Sequence, residues 1–312
     1  MELSQLNQLS MLKSITVPPA EELVASRFEK WSPDSLAPWT YLTSYQDLTP
    51  ELKLRYNQLH ALSINELFIW FEEKLLLPIL TQMIENKNFD SDFRKACQNF
   101  FDEEVKHSEM FWRLSYASAP EMYSNSKFYF LNSRLSPAKY LMEQSLKYQS
   151  LLGLWCWVLI FFEERTLMFS KEFLKAKTDV SPAFARIHHL HMIEEVRHVQ
   201  MDEHFIARIY EKASPTTKKL TAFLFKRVLK SFASPKYMSL AIAERLKIEF
   251  IRPLDHDLID QMINDLPQLK NNSKFQDQFF GPQATKETFT ILKKHPEFNG
   301  LHSFFETTSR ET

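Results

Sequence analysis

Glycine is scarce in this chain, since only three occur among 312 residues. The glycine-rich loops that bind flavin, nicotinamide or nucleotide phosphates are therefore absent. Cysteine is equally rare, and Cys97 and Cys156 lie in apolar helical patterns without CxxC spacing. We expect buried thiols there, because that pattern fits neither a disulfide framework nor a zinc or iron–sulfur site.

An excess of one charge sign is also missing, with 38 Lys and Arg against 39 Asp and Glu, so we expect no nucleic-acid partner. The longest apolar run, Leu151 to Phe162, has twelve residues, whereas a membrane span needs about twenty. It predicts a buried helix segment. The first residues lack the charged start and apolar core of a secretory signal, and we therefore expect a cytoplasmic protein.

The remaining pattern is helical, because strand alternation is absent and proline stands at the starts of segments. In a Ser/Thr-Pro pair the hydroxyl can cap a helix while proline takes the first helical position. The pairs are Thr49-Pro50, Ser136-Pro137, Ser181-Pro182, Ser214-Pro215 and Ser234-Pro235. They predict helical segments at about 50–86, 91–118, 137–177, 182–212, 215–232 and 235–249. Pro78 predicts a kink in the first segment, and short helices alternating with loops are expected beyond Pro253.

Two stretches of the chain repeat one another. Phe100 to His107 reads FFDEEVKH and His191 to His198 reads HMIEEVRH, each with EExxH and a basic residue before the histidine. A second acidic pair precedes each stretch, in FEEK and FEER. The first members of these pairs, Glu72 and Glu163, are 91 residues apart, and Glu104 and Glu195 have the same separation. An internal duplication of a helix pair predicts a two-fold site between the copies.

The chemistry of such a site follows from helical geometry. Residues three apart share a helix face, so Glu104 with His107, and Glu195 with His198, can direct a carboxylate and an imidazole at one point. Two Glu-x-x-His helices plus one Glu from each of two others form the di-iron arrangement of carboxylate-bridged bundles. Four buried carboxylates would be neutralised by two divalent ions. Imidazole with carboxylate suits iron or manganese better than structural zinc.

One position breaks the repeat. His191 lies four residues before Glu195 on the same face, but its counterpart is Phe100. We therefore expect a third histidine at one metal only. Helical phase turns the first member of the pairs Glu72-Glu73 and Glu163-Glu164 inward, leaving Glu73 at the boundary and Glu164 beside the charged face. In the other two pairs, spacing to histidine selects Glu104 and Glu195, which leaves Glu103 and Glu194 either solvated or supporting the ligands. The predicted ligands are Glu72, Glu104, His107, Glu163, His191, Glu195 and His198.

The order of these residues resembles the p-aminobenzoate N-oxygenase family of non-haem di-iron monooxygenases. The resemblance rests on WFEE, HSEMF and IHHLHMIEEVRH and covers roughly Asn65 to Glu203. It implies a ferritin-like helical protein, commonly a homodimer, that uses dioxygen and two electrons to oxidise an aryl amine towards hydroxylamine or nitro products. It also implies two iron ions, with manganese an option at one position. Because no reductase motif is present, an external electron donor is implied.

Together these features predict an all-α single domain with a ferritin-like four-helix bundle core. It comprises an extended N-terminal arm (1–48), the metal-binding bundle (49–213) and additional packing helices (214–312). Three alternatives stay open: another di-iron or iron–manganese oxidase such as a desaturase or C-hydroxylase, a non-enzymatic iron-binding protein, and a charged bundle whose acidic pairs are simply solvated. We expect surface or supporting roles for His188, His189 and His204, core packing for Trp155, Trp157, Phe161 and Phe162, and an amphipathic packing helix at 218–230.

Overall fold

The computed structural model describes residues 1–131, 137–232, 235–281 and 284–301. Within these residues the regular structure is helical and no strand occurs, which confirms the all-α prediction. The α-helices are α1 (Leu3–Leu12), α2 (Pro50–Phe71), α3 (Leu77–Glu85), α4 (Ser91–Ser118), α5 (Pro120–Tyr123), α6 (Pro137–Ser145), α7 (Leu152–Lys175), α8 (Pro182–Phe205), α9 (Pro215–Phe232), α10 (Lys236–Glu249), α11 (Pro253–Asp265), α12 (Ser273–Phe280) and α13 (Lys286–Leu292).

Four long helical stretches form a ferritin-like bundle. The first is α2 continuing into α3, which packs along α4, while α7 packs along α8. The two pairs meet where α4 contacts α8. Because each repeated motif lies on one of these two central helices, the contact between α4 and α8 brings the two motifs together.

Helix starts follow the Ser/Thr-Pro pairs only in part. The hydroxyls of Thr49 and Ser214 each accept a hydrogen bond from a backbone N–H three residues on. Ser181 accepts none, so that cap was wrong, and the start of α8 relies on the proline that follows. Ser136 and Ser234 lie outside the described residues.

A π-helical turn, Glu72–Leu76, joins α2 to α3. Its closing hydrogen bond runs from the Leu77 N–H to the carbonyl of Glu72, five residues back. Pro78 has no N–H to complete the α-helical bond to Lys74, so the helix departs from regular α geometry just before this proline. The turn begins at the acidic pair, and π turns of this kind are frequent at functional sites.

The predicted segment 137–177 is interrupted, which corrects the single long helix. Helix α6 ends at Ser145, a 3₁₀ turn covers Gln149–Leu151, and α7 then begins. Leu146 turns into the apolar core, and its carbonyl accepts a hydrogen bond from the Gln82 amide at 2.8 Å. The side-chain amide therefore pairs with a carbonyl just beyond the end of α6. The segment 182–212 likewise leaves α geometry early, in the π turn Ile206–Tyr210.

The N-terminal 48 residues are more ordered than an extended arm, and that prediction was wrong for the first twelve. Leu3 and Leu6 share one face of α1 and are buried where the helix packs on α4 and α8. Further on, Trp31 and Trp39 are buried in the core, and Trp39 belongs to a short 3₁₀ turn, Pro38–Tyr41. The N-terminal segment is therefore part of the packed structure.

The remaining helices close the bundle. In α9, Ala222, Phe225 and Leu229 are buried and form the apolar face expected of the 218–230 stretch. Trp155, Trp157 and Phe161 belong to the core, as do the free thiols Cys97 and Cys156. Short helices alternate with loops beyond Pro253, as predicted. Among the described residues, no helix combines the length and apolar character that a membrane crossing requires.

Candidate metal centre

The seven predicted ligands lie together inside the bundle, and none of them exposes more than 2% of its surface. They come from all four long helical stretches: the π turn after α2, then α4, α7 and α8. Two overlapping sets have donor atoms within 4.8 Å of one another. These sets are Glu104, His107, Glu195 and His198, and Glu72, His107 and His191.

Two carboxylates stand at the centre, between α4 and α8. Glu104 Oε1 lies 2.7 Å from His198 Nδ1 and 3.3 Å from His107 Nδ1. Glu195 Oε1 lies 2.6 Å from His191 Nε2 and 3.5 Å from His107 Nδ1. Each carboxylate therefore faces histidines of both helices, which is the position required of a group shared between two ions.

The outer carboxylates lie at opposite ends of this cluster. Glu72 Oε1 is 3.8 Å from His191 Nε2. Glu163 belongs to neither close set, but its Oε2 is 3.9 Å from His198 Nδ1 and its side chain is fully buried. The pairing divides the cluster into a side with Glu72, His107 and His191 and a side with Glu163 and His198.

Every one of the seven side chains has a buried nitrogen or oxygen that forms no hydrogen bond. These atoms are Glu72 Oε1, both carboxylate oxygens of Glu104 and of Glu163, His107 Nδ1, His191 Nε2, Glu195 Oε2 and His198 Nδ1. Leaving one buried polar atom unpaired costs about 1–3 kcal/mol, and more when the group is charged. Such a concentration is typical of groups that bind a cation, and the donor set fits iron.

The opposite ring nitrogen of each histidine is held by the protein. His107 Nε2 is 3.0 Å from a Glu194 carboxylate oxygen, and His198 Nε2 is 2.8 Å from Glu103. A carboxylate fixes the proton on the nitrogen that donates to it, so a lone pair remains on Nδ1 in the neutral ring. Both Nδ1 atoms face the cluster.

The third histidine is held differently. His191 Nδ1 is 3.0 Å from Ser170 Oγ, which is also 3.2 Å from Nδ1 of the buried His188. His188 in turn stacks on Phe173 with ring centroids 3.6 Å apart. On the same side of the cluster, Ser108 Oγ donates to Glu72 Oε2 at 2.7 Å, which leaves Oε1 directed at the site.

The electrostatics of the cluster are self-compensating. Burial, together with the charge on Glu104 or Glu195, raises the pKa values of Glu72 and Glu163 well above the usual range. Burial would also raise the pKa of Glu104, but neighbouring His107 and His198 outweigh it and lower that pKa. The pKa of Glu195 is well below its usual range because the charge on His191 and other contacts outweigh its burial.

The histidines respond to the same charges. Burial would lower the pKa of His107 and His198, but Glu104 and its neighbours raise both pKa values well above the usual range. The pKa of His191 is lowered, chiefly by burial. The glutamates and histidines of the cluster therefore shift one another's pKa values, while burial dominates the pKa of His191.

Of the second members of the two outer acidic pairs, Glu73 lies where it was predicted and Glu164 does not. Glu73 forms an ion pair with Lys127 at 2.7 Å at the bundle boundary. Glu164 was expected beside the charged face, but it is buried and accepts backbone N–H groups from Glu287 and Thr288 at the start of α13. The C-terminal packing helices therefore cover a position that the isolated helix pattern assigned to solvent.

Sequence reasoning missed several polar groups around the site. Ser108 and Ser170 carried no signal, because single serines on helices are common. Asp202 is fully buried with both oxygens unpaired, and its position four residues after His198 could have been noted from helical periodicity. Of the other histidines, His189 is exposed, and His204 Nε2 donates to the backbone carbonyl of Met1 at 2.8 Å near the surface.

The family comparison agrees with this geometry. The family described as P-aminobenzoate N-oxygenase AurF matches residues 21–248. No curated protein has a sequence that matches the chain. The matched region contains all seven clustered residues and spans well over half of the chain. The chain therefore belongs to the p-aminobenzoate N-oxygenase AurF family.

Proposed function

We propose that this protein is a di-iron monooxygenase that transfers oxygen to the nitrogen of an aryl amine. The observation that carries the proposal is the set of buried donor atoms that face one another without hydrogen bonds. Family membership supports an oxygenase. The substrate class and the identity of the metal go beyond that membership.

The proposed ligands divide between two ions. One ion would be held by Glu72, His107 and His191, and the other by Glu163 and His198. Glu104 and Glu195 would be shared. Four carboxylate charges then balance two divalent cations, whereas the same carboxylates without a cation would have to be protonated or paired. Iron is proposed at both positions, with manganese an option at one.

Metal loading should displace protons from the cluster. The pKa values of Glu72, Glu163, His107 and His198 are all raised, so protons compete with a metal ion for these side chains. A metal ligand must lose its proton. Binding should therefore release protons and weaken as the pH falls, and a pH-indicator dye can follow that release.

The chemistry that a pair of iron ions supplies when bound is activation of dioxygen. In the first oxidation, the amine, dioxygen, two electrons and two protons give a hydroxylamine and water. The electrons must come from an external donor. Glu103 and Glu194 would keep His198 and His107 oriented, and the apolar core around them would exclude water. A homodimer and a cytoplasmic location are part of the same proposal.

The test is a single-turnover reaction. Iron-loaded protein is reduced, mixed with a panel of aryl amines and dioxygen, and the products are read by mass spectrometry. The proposal predicts products that gain oxygen at nitrogen. Oxygen found only on carbon, or loss of two hydrogens, would indicate a C-hydroxylase or a desaturase. Uptake of many iron ions per chain without any product would indicate iron storage.

A further inference from the structure

The segment before the family match reaches the interior of the bundle. The match begins at residue 21, whereas α1 and the residues after it pack against α4 and α8. Two consecutive residues of this segment, Ser14 and Ile15, form hydrogen bonds beside the candidate metal centre. These contacts lie outside the residues that the family model matches.

Glu194 connects this segment to the site. Its Oε1 accepts the backbone N–H of Ile15 at 3.0 Å and the Lys106 ammonium at 2.9 Å. Its Oε2 contacts His107 Nε2 at 3.0 Å. Lys106 is in turn held by Ser14 Oγ at 2.9 Å. Both donors on the outer oxygen of Glu194 thus depend on the N-terminal segment, one directly and one through Ser14.

The corresponding contact on the other histidine lacks this support. Glu103 pairs with His198 Nε2 through one oxygen and accepts Arg197 at 2.7 Å through the other. Arg197 lies on α8, inside the bundle, and is almost fully buried. Glu194 Oε1 instead accepts Lys106, whose side chain is 23% exposed, while Arg197 Nη2 is farther away at 3.6 Å. The backbone N–H of Ile15 is the second hydrogen-bond donor to this oxygen.

We infer that Ile15 is a positioning residue of the proposed metal centre, acting through its backbone N–H on Glu194 and through Glu194 on His107. The inference rests on the proposed function, because it requires His107 to bind metal. Contacts to the far nitrogen of a ligating histidine typically change metal affinity about 10–100-fold. Loss of the N–H should weaken the ion bound by His107 more than the ion bound by His198.

The experiment compares three variants of the full chain. Ile15→Pro removes the N–H, whereas Ile15→Ala keeps it and removes most of the side chain. Thr16→Pro is the matched control, because Thr16 is exposed and its N–H makes no hydrogen bond among the described residues. Each protein is titrated with Co(II) against a competing chelator, and the visible absorption of each bound equivalent is recorded. Circular dichroism checks that the helical content is unchanged.

We expect Ile15→Pro to bind one of two Co(II) equivalents about tenfold more weakly and with an altered absorption band. Ile15→Ala and Thr16→Pro should match the parent. Lys106→Met, which leaves the backbone untouched, should weaken the same equivalent and thus supports the inference even if Ile15→Pro fails to fold. The inference is overturned if Ile15→Pro and Lys106→Met bind like the parent, or if Ile15→Ala is as weak as Ile15→Pro. A parent that binds no Co(II) instead overturns the proposed function together with this inference.

Discussion

The two central helices, α4 and α8, carry the same order of residues. In each helix, the first glutamate of the repeated motif contacts a histidine of the opposite helix. Glu103 of α4 holds His198 of α8, and Glu194 of α8 holds His107 of α4. The basic residue before each histidine follows the same rule, since Arg197 pairs with Glu103 across the interface. The duplicated sequence thus forms reciprocal glutamate–histidine contacts between the two helices. The two central glutamates, Glu104 and Glu195, lie between these contacts.

The helices differ at the position four residues before the shared glutamate. His191 of α8 lies 4.6 Å, ring to ring, from His107, whereas Phe100 of α4 stacks on His198 at 3.9 Å. Both side chains therefore pack against the histidine of the opposite helix. One offers a nitrogen to the site and the other offers only an apolar ring. The helical framework around the site is therefore symmetric, whereas the proposed ligands of the two ions are not.

The largest expected effect comes from the outer carboxylates. Glu72→Ala or Glu163→Ala should reduce metal content from about two ions per chain to one or fewer, because each removes a carboxylate directed at the cluster. Glu73→Ala and Glu164→Ala are matched neighbours and should retain metal. Elemental analysis after loading with iron measures the outcome.

Glu164→Ala should also lower the free energy of unfolding. It removes a buried carboxylate that accepts two backbone N–H groups, and one hydrogen bond to a charged group contributes about 1.5–3 kcal/mol. Urea unfolding should show a loss of at least that size. Equal metal loss within an acidic pair would show that helical phase does not separate ligand from neighbour.

The second effect concerns the asymmetric position itself. His191→Phe gives α8 the residue that α4 has, and it leaves both Glu-x-x-His pairs and all four carboxylates in place. We expect a folded, iron-containing variant that yields little N-oxygenated product from any amine the parent accepts. His189→Phe changes an exposed histidine on the same helix and should behave like the parent. Iron content and product are measured together.

Two results would count against this view of His191. A variant with parental iron and parental product would make His191 a bystander. A variant that folds but arrives without metal would give the histidine a role in retaining iron rather than in directing the reaction.

A third, smaller effect tests the reciprocal contacts. Glu103→Gln and Glu194→Gln each replace a carboxylate that holds a histidine with a neutral amide of similar shape. Metal affinity should fall about 10–100-fold in both variants. Competition with a chelator measures the change, and the two variants should weaken different ions. A loss of metal affinity in only one of the two variants would show that the two contacts are not equivalent.

The smallest effect is expected from the reverse exchange, Phe100→His. The new ring enters an apolar cluster, where an unpaired polar atom costs about 1–3 kcal/mol, but every proposed ligand stays in place. Metal content should remain near that of the parent, while urea unfolding shows the lost stability. Phe101→His, at the partly buried neighbour, is the control. An undiminished stability with a changed metal spectrum would mean that the His198 side already accommodates a third histidine.

The sequence predicted those parts of the fold and the site that are determined by residues close together in the chain. The limits of α4 and α9 match the predicted segments, because caps, prolines and helical periodicity lie within a few residues of each helix end. The clustering of the glutamates and histidines followed from the repeat, since register is itself a sequence property. Helix α1 was missed because its two buried leucines make only a short apolar face.

Contacts between distant parts of the chain were beyond that reasoning. Glu164 is buried by backbone N–H groups of α13, more than 120 residues later, so its own helix could not reveal its surroundings. Glu103 and Glu194 each contact the histidine of the opposite helix, and this choice of partner depends on how α4 and α8 pack against each other. Spacing identifies which face a residue occupies, but not which atom of another helix it meets.

The most direct test of the proposed di-iron centre is an anomalous difference map from crystals of the iron-loaded protein, collected at the iron absorption edge. We expect two peaks per chain, about 3.5–4 Å apart, with Glu104 and Glu195 between them and His191 beside the peak nearer Glu72. A single peak, or peaks away from these carboxylates, would contradict it.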